Sequence, residues 1–154
     1  MSPTSPSKLK IFIDSDLLFA GAASPGEHSA SLVVLQMAEI NLVDAVASEQ
    51  VIAECERILG QKLAHKLPEM RLLVSRCLHV IPDPQPEDLD THKGIADPKD
   101  LPILVAALGQ DCRYLVTFNV RHYQPGHQNV AVLRPGEFVS RVRDLLARSD
   151  PDTM

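Results

Sequence analysis

The chain has 154 residues, of which 45% are hydrophobic, enough for one domain with its own core and too few for two ordinary ones. Its net charge of −5 argues against a constitutive, salt-driven nucleic-acid binder. It leaves room for a nucleic-acid enzyme, because a divalent cation held by clustered carboxylates inverts the local charge. No apolar run approaches the roughly 20 residues that span a bilayer. Residues 1–8 read as a flexible lead-in and lack the apolar stretch of a secretory signal. Cys55, Cys77 and Cys112 are odd in number and form no C-x-x-C pair, which favours a reducing cytoplasm over a disulfide scaffold or a zinc site. Twelve prolines against seven glycines mark many boundaries, and neither G-x-G-x-x-G nor a P-loop is present.

Residues 9–13 are apolar and rich in β-branched and aromatic side chains, which predicts a central strand. It runs directly into Asp14 and Asp16. Leu17–Ala23 continues as a short helix, broken at Ser24-Pro25-Gly26. Glu27–Ile40 carries apolar residues at Ala30, Val33, Val34, Met37 and Ile40, the spacing of an amphipathic helix. Leu42–Ala47 is a second strand, with Ser48 as N-cap of a helix from Gln50 to Leu59 that Gly60 ends. Residues 61–77 form a further helix with its apolar face at Leu63, Leu67, Met70, Leu73, Val74 and Cys77, kinked or interrupted by Pro68.

Leu78–Ile81 is a third strand. Pro82, Pro84 and Pro86 make a rigid, non-helical link into an acidic stretch. Ile103–Gly109 is a buried helix. Its start is fixed near Asp100, because a cap at Asp97 would put Pro102 at the fifth helical position, where it removes a backbone bond and clashes; Asp97 therefore lies in the preceding loop. Tyr114–Thr117 and Val130–Leu133 are the last strands, and Pro135 opens a final helix to about Ala147. Strands alternating with helices predict an α/β fold, a three-layer α/β/α sandwich around a mostly parallel five-stranded sheet. A single domain over residues 9–148 and a tail over 149–154 complete the layout.

In open α/β sheets chemistry gathers outside the carboxyl ends of the strands. Asp14 ends the first strand, Asp100 opens a helix, and Asn119 follows the fourth strand. If the first and fourth strands are neighbours, these three share an edge. Glu54 lies at the border of its helix's apolar face and can look inward. Three acids and an amide are all oxygen donors, which suits Mg²⁺ or Mn²⁺ and not Zn²⁺. Such a centre hydrolyses phosphodiesters. Each residue also has a plainer reading. Asp14, Asp16 or Asp100 could be a helix cap, Glu54 a solvated helix residue, and Asn119 a turn residue. The functional case rests on their combination.

These segments resemble the PIN domain family. The matching stretches are Ile13-Asp14-Ser15-Asp16-Leu17-Leu18, Val51 to Leu59 around Glu54, Asp100 to Leu108, and Leu115 to Tyr123 around Asn119. The resemblance spans roughly residues 9–140. It implies a compact Mg²⁺- or Mn²⁺-dependent ribonuclease of the VapC type, the toxin of a toxin–antitoxin pair, with a small antitoxin as partner and a homodimer as the assembly. It assigns Asp14, Glu54, Asp100 and Asn119 as catalytic metal ligands, with Thr117 supporting the last loop through its hydroxyl. Two departures stand out: Asp16 occupies a position where the family often has Asn, and Asn119 is neutral where an acid is frequent. Asp16 is read as a helix-start or supporting residue.

Arg121, His122 and Lys99 are the candidate RNA contacts at the rim. Two other readings compete. One is a PIN module that binds RNA or a partner without cleaving. The other is a haloacid-dehalogenase-type phosphatase using Asp14 and Asp16, although Leu18 stands where that family has Thr or Val and no later Gly-Asp-x-x-x-Asp follows.

Overall fold

The structure, a computed structural model, describes residues 8–23 and 29–149. The lead-in, the Ser24-Pro25-Gly26 break, the expected helix start at Glu27 and most of the tail lie outside the described residues. The strands are β1 (Leu9–Ile13), β2 (Val43–Ser48), β3 (Leu78–Ile81), β4 (Tyr114–Val116) and β5 (Ala131–Leu133). The helices are α1 (Ser15–Ala23), α2 (Ala30–Glu39), α3 (Glu49–Lys62), α4 (Leu67–Cys77), α5 (Pro86–Thr91), α6 (Leu101–Gly109) and α7 (Pro135–Ser149).

The sheet order is β3-β2-β1-β4-β5, and every strand pairing is parallel, as the alternation of strands and helices predicts. β1 is central because its side chains suit burial on both faces. Ile11, Phe12 and Ile13 are fully buried. With a two-residue period, Ile11 and Ile13 enter one core with α1, α2, α3, α4 and α7, while Phe12 enters a second core with α6. Each such side chain contributes about 1.5–3 kcal/mol by leaving water. The strand that carries Asp14 is thus clamped from both sides.

Several boundaries depart from expectation for local reasons. Helix α3 runs through Gly60 to Lys62, since a glycine inside a helix costs only about 1 kcal/mol and Leu59 is anchored in the core. Pro68 sits in the first turn of α4, where its missing N–H costs nothing, so it starts the helix and does not kink it. Pro86 likewise opens α5, with Gln85 and Asp88 forming a reciprocal capping box, inside what was expected to be a non-helical link. On α2, capped by the Ser29 side chain, the buried stripe is Ser31, Val34, Leu35 and Ala38, and Ile40 at its end is exposed. Ser48 holds the N-cap position of α3, but its side chain makes no capping bond.

Candidate metal centre

β1 delivers Asp14 to the carboxyl edge of the sheet. The Asp14 N–H donates to the Val116 carbonyl at 3.2 Å. This carries the β1–β4 pairing one residue past Ile13 and Val116 and sets Asp14 beside Thr117. Asp14 is 5% exposed, and a carboxylate at that depth needs donors on its lone pairs. Its Oδ1 accepts from the Ser15 N–H at 2.7 Å. Its Oδ2 accepts from the Thr117 hydroxyl at 2.9 Å and the Tyr123 hydroxyl at 2.6 Å. Oδ2 is therefore fully used, while Oδ1 keeps one lone pair for a further partner.

Asp16 lies in the first turn of α1, where the helix dipole favours an acid. Its Oδ2 accepts from the Phe118 N–H at 3.0 Å, the Asn119 side-chain amide at 3.0 Å and the Thr117 hydroxyl at 3.1 Å. A threonine hydroxyl has one proton, so Asp14 and Asp16 share it. The Thr117 oxygen in turn accepts from the Asn119 N–H at 3.0 Å. Burial, and then the charge of Asp14, push the Asp16 carboxyl up to about 6 against the pull of its hydrogen bonds. Among the described residues its Oδ1 is buried without a partner, an oxygen that a cation would satisfy. Asp16 is thus the hub that ties the turn after β4 to the start of α1, a larger part than the supporting one read from the sequence.

Asp100 occupies the N-cap position of α6, with Pro102 in the first turn, yet its side chain makes no capping bond. The carboxylate instead lies 3.2 Å from His122 Nδ1, in a 3-10 turn over Val120–Tyr123. The plain helix-cap reading of Asp100 does not hold. Burial, and then Asp14, raise its pKa, while His122 and Lys99 oppose the rise. Asp97 is the link between the two loops. Its carbonyl accepts from the Asp100 and Leu101 N–H groups at 2.9 and 2.8 Å, and its own N–H donates to the His122 carbonyl at 2.8 Å. Asp97, Asp100 and His122 each offer a ligand atom within 4.8 Å of the other two.

The structure therefore brings Asp14, Asp16, Thr117 and Asn119 into one hydrogen-bonded cluster and couples Asp100 to it through charge. Glu54 is half-buried on α3, which packs against α1, and makes no hydrogen bond or ion pair among the described residues. Asn119 is exposed and spends its amide on Asp16. His122, read as a rim contact, is turned onto Asp100. Arg121 and Lys99 are exposed, and Arg121 has no hydrogen bond or ion pair among the described residues.

Two residues escaped the sequence reading. Asp97 precedes its helix in the chain, and nothing local signals its approach to His122. Tyr123 is buried and directed at Asp14. Burial first, and then the charges of Asp14, Asp100 and Asp16, push its pKa up, which keeps it a neutral donor. Its place at the end of the segment Asn119 to Tyr123 was the only available signal. The donor set is carboxylate oxygen with one imidazole, and it includes an orphaned buried carboxylate oxygen. The carboxylate oxygens, the orphaned one among them, fit a hard divalent cation, and the imidazole of His122 is already engaged with Asp100.

An all-parallel five-stranded sheet with carboxylates gathered at its carboxyl edge defines an α/β protein with an acidic, metal-type site. A sequence model described as the PIN domain matches residues 10–121, and the chain belongs to that family, a nuclease kind that generally uses a divalent metal. The fold is shared with a chain in the crystal structure of VapBC2 from Rickettsia felis bound to a DNA fragment from their promoter. The TM-score is 0.60 at 16% identity, over 80% of this chain and 96% of that one. A chain in the structure of FitAB bound to an IR36 DNA fragment is similar at TM-score 0.50 and 15% identity, over 81% and 94%. A comparison with curated protein sequences finds no match. No helix among the described residues is long and apolar enough to cross a membrane.

Proposed function

We propose that this protein is a Mg²⁺- or Mn²⁺-dependent endoribonuclease that hydrolyses RNA phosphodiesters in the cytoplasm. The observation that carries this reading is the pair of carboxylates Asp14 and Asp16 bridged by the Thr117 hydroxyl, with the Asp16 Oδ1 buried and, among the described residues, unpartnered, and with Asp100 coupled to the pair through charge. Asp14 through Oδ1, Asp16 through Oδ1 and Asp100 would hold the ion, with Glu54 from α3 and Asn119 as the further ligands the PIN resemblance assigns. An ion held there would neutralise charge on the phosphate and lower the pKa of a water molecule. Tyr123 and Thr117 hold Asp14 in one orientation. Asp16 fixes the turn that presents Asn119. Arg121 is exposed and would meet a phosphate beside the site.

The VapC-type resemblance, together with the fold shared with the VapBC2 and FitAB chains, favours the toxin half of a toxin–antitoxin pair. A small antitoxin and a second copy of the chain are the partners this implies. The test is cleavage of single-stranded RNA by the purified protein with Mg²⁺, with Mn²⁺ and with EDTA, beside Asp14→Ala and Asp100→Asn. Cleavage that needs the metal and is lost in both variants is expected. Variants that keep wild-type cleavage, or activity confined to phosphomonoesters, sink the assignment. RNA binding without cleavage points to the non-catalytic module.

A further inference from the structure

The chain has four phenylalanines, two tyrosines and no tryptophan, and all six rings lie among the described residues. Phe12, Phe138, Tyr114 and Tyr123 are buried. Phe19 is half-buried and packs on the core. Phe118 is the exception, 44% exposed. The other exposed large apolar residues, Ile40, Leu72, Val80, Leu145 and Leu146, are aliphatic. None of them lies in the turn after β4.

The place of Phe118 gives its exposure a meaning that a scattered apolar residue lacks. It stands between Thr117 and Asn119, so its neighbours on both sides are bonded to the acidic cluster. Its own N–H donates to Asp16 Oδ2 at 3.0 Å, and the next N–H donates to the Thr117 hydroxyl. The root of the ring is fixed to the same carboxylates that would hold the ion. Arg121, exposed and without a hydrogen bond or ion pair among the described residues, follows in the next turn. An aromatic face held at the rim of a phosphodiester site suits an unpaired nucleobase, because every base has a π-face and single strands leave it free. Charge favours the same answer. The chain carries −5 overall, so backbone phosphates give it little attraction away from the ion, and stacking does not depend on charge.

We propose that Phe118 stacks on an unpaired base adjoining the phosphodiester at the metal centre. The inference rests on the nuclease reading above. Duplex RNA, whose bases are already stacked on one another, offers no free face to the ring.

The test uses the full chain and a single-stranded RNA with a mapped cleavage point. Phe118→Ala, Phe118→Leu and Phe118→Trp are compared on that RNA and on versions with an abasic nucleotide on either side of the cleaved bond. Mn²⁺ binding by calorimetry reports whether the acidic cluster is intact. Phe118→Ala should lower kcat/KM about ten-fold or more, the scale of one base–aromatic stack, with Mn²⁺ binding unchanged. Phe118→Trp should restore cleavage and Phe118→Leu should not. One abasic position should cost the wild type the same factor and cost Phe118→Ala nothing further.

Wild-type protein that cleaves no RNA ends the nuclease reading and this inference with it. Wild-type protein that cleaves while Phe118→Ala or Phe118→Leu keeps pace overturns the assignment of Phe118 alone. So does equal sensitivity of wild type and Phe118→Ala to the abasic nucleotides, or a loss confined to binding a partner protein.

Discussion

Asp14, at the end of β1, and Asp100, at the start of α6, feel each other's charge, but they are held in different ways. Asp14 is buried and accepts from three donors, two of them side chains that also lie in the core. Asp100 is half-buried and has one side-chain partner, the exposed His122. The first arrangement is set during folding, because the buried Tyr123 hydroxyl donates to this carboxylate at 2.6 Å and Thr117 ties it to Asp16. The second leaves a carboxylate in the field of Asp14, offset from the exposed side by His122 and Lys99, so it gains from a cation. One side of the centre is therefore a fixed post, and the other is a jaw that an ion closes.

Removing each side separately gives the largest expected contrast. Asp14→Ala deprives the buried Tyr123 hydroxyl of its acceptor and leaves Thr117 with only Asp16. An orphaned buried donor costs about 1–3 kcal/mol, so the metal-free protein should lose about 2 kcal/mol or more in urea denaturation. Asp100→Asn should change stability by less than about 0.5 kcal/mol, or raise it, since the charged form is already disfavoured there. Equal losses in the two variants would erase the distinction between post and jaw.

Tyr123→Phe sharpens the contrast at smaller amplitude. It keeps the packed ring and removes one hydrogen bond to a carboxylate, worth about 1.5–3 kcal/mol when the acceptor is charged. Asp14 then rests on Ser15 and Thr117 alone. A loss of about 1–2 kcal/mol is expected, with kcat/KM for RNA falling more than Mn²⁺ affinity. An unchanged melting temperature would show that the hydroxyl holds nothing.

The pH response should have a definite sign. Asp16 is pushed from 3.8 to about 6 in the fold, so the folded state binds its proton more tightly than the unfolded chain does. Its contribution to stability is then whole below about 3.8 and is lost as pH rises through about 6. Asp100 shifts in the same direction. In EDTA the melting temperature should therefore fall across this window, and Asp16→Asn should flatten that part of the slope. Mg²⁺ needs the deprotonated acids and should bind more tightly as pH rises through the same range. Stability that climbs over the window in EDTA for wild type, and equally in Asp16→Asn, would count against the shift.

Much of the fold could be read in the sequence because it follows from local pattern. The run from Leu9 to Ile13 is apolar on both faces and becomes the central strand. Pro102 fixes the start of α6 at Leu101, since proline is tolerated only in a helix's first turn. The misreadings were of the same local kind. Gly60 and Pro68 were taken as breaks, but a core-anchored helix carries an isolated glycine, and a proline at the first turn begins a helix. The candidate acids at Asp14 and Asp100 were also legible, one as a carboxylate at a strand end and the other as an acid at a marked helix start.

The sequence by itself determined the α/β order, the clamped strand that ends in Asp14 and the oxygen-rich chemistry of its candidate ligands. These depend on residue type and short-range spacing. Only the tertiary structure decided which groups meet. β1–β4 pairing sets Thr117 beside Asp14. The Asp97 N–H, by reaching the His122 carbonyl, joins two loops about 25 residues apart in the chain. Tyr123, far from Asp14 along the chain, becomes its shortest hydrogen-bond donor. Side-chain hydrogen bonds act over a few ångströms, and sequence spacing does not encode that distance between segments the fold alone brings together.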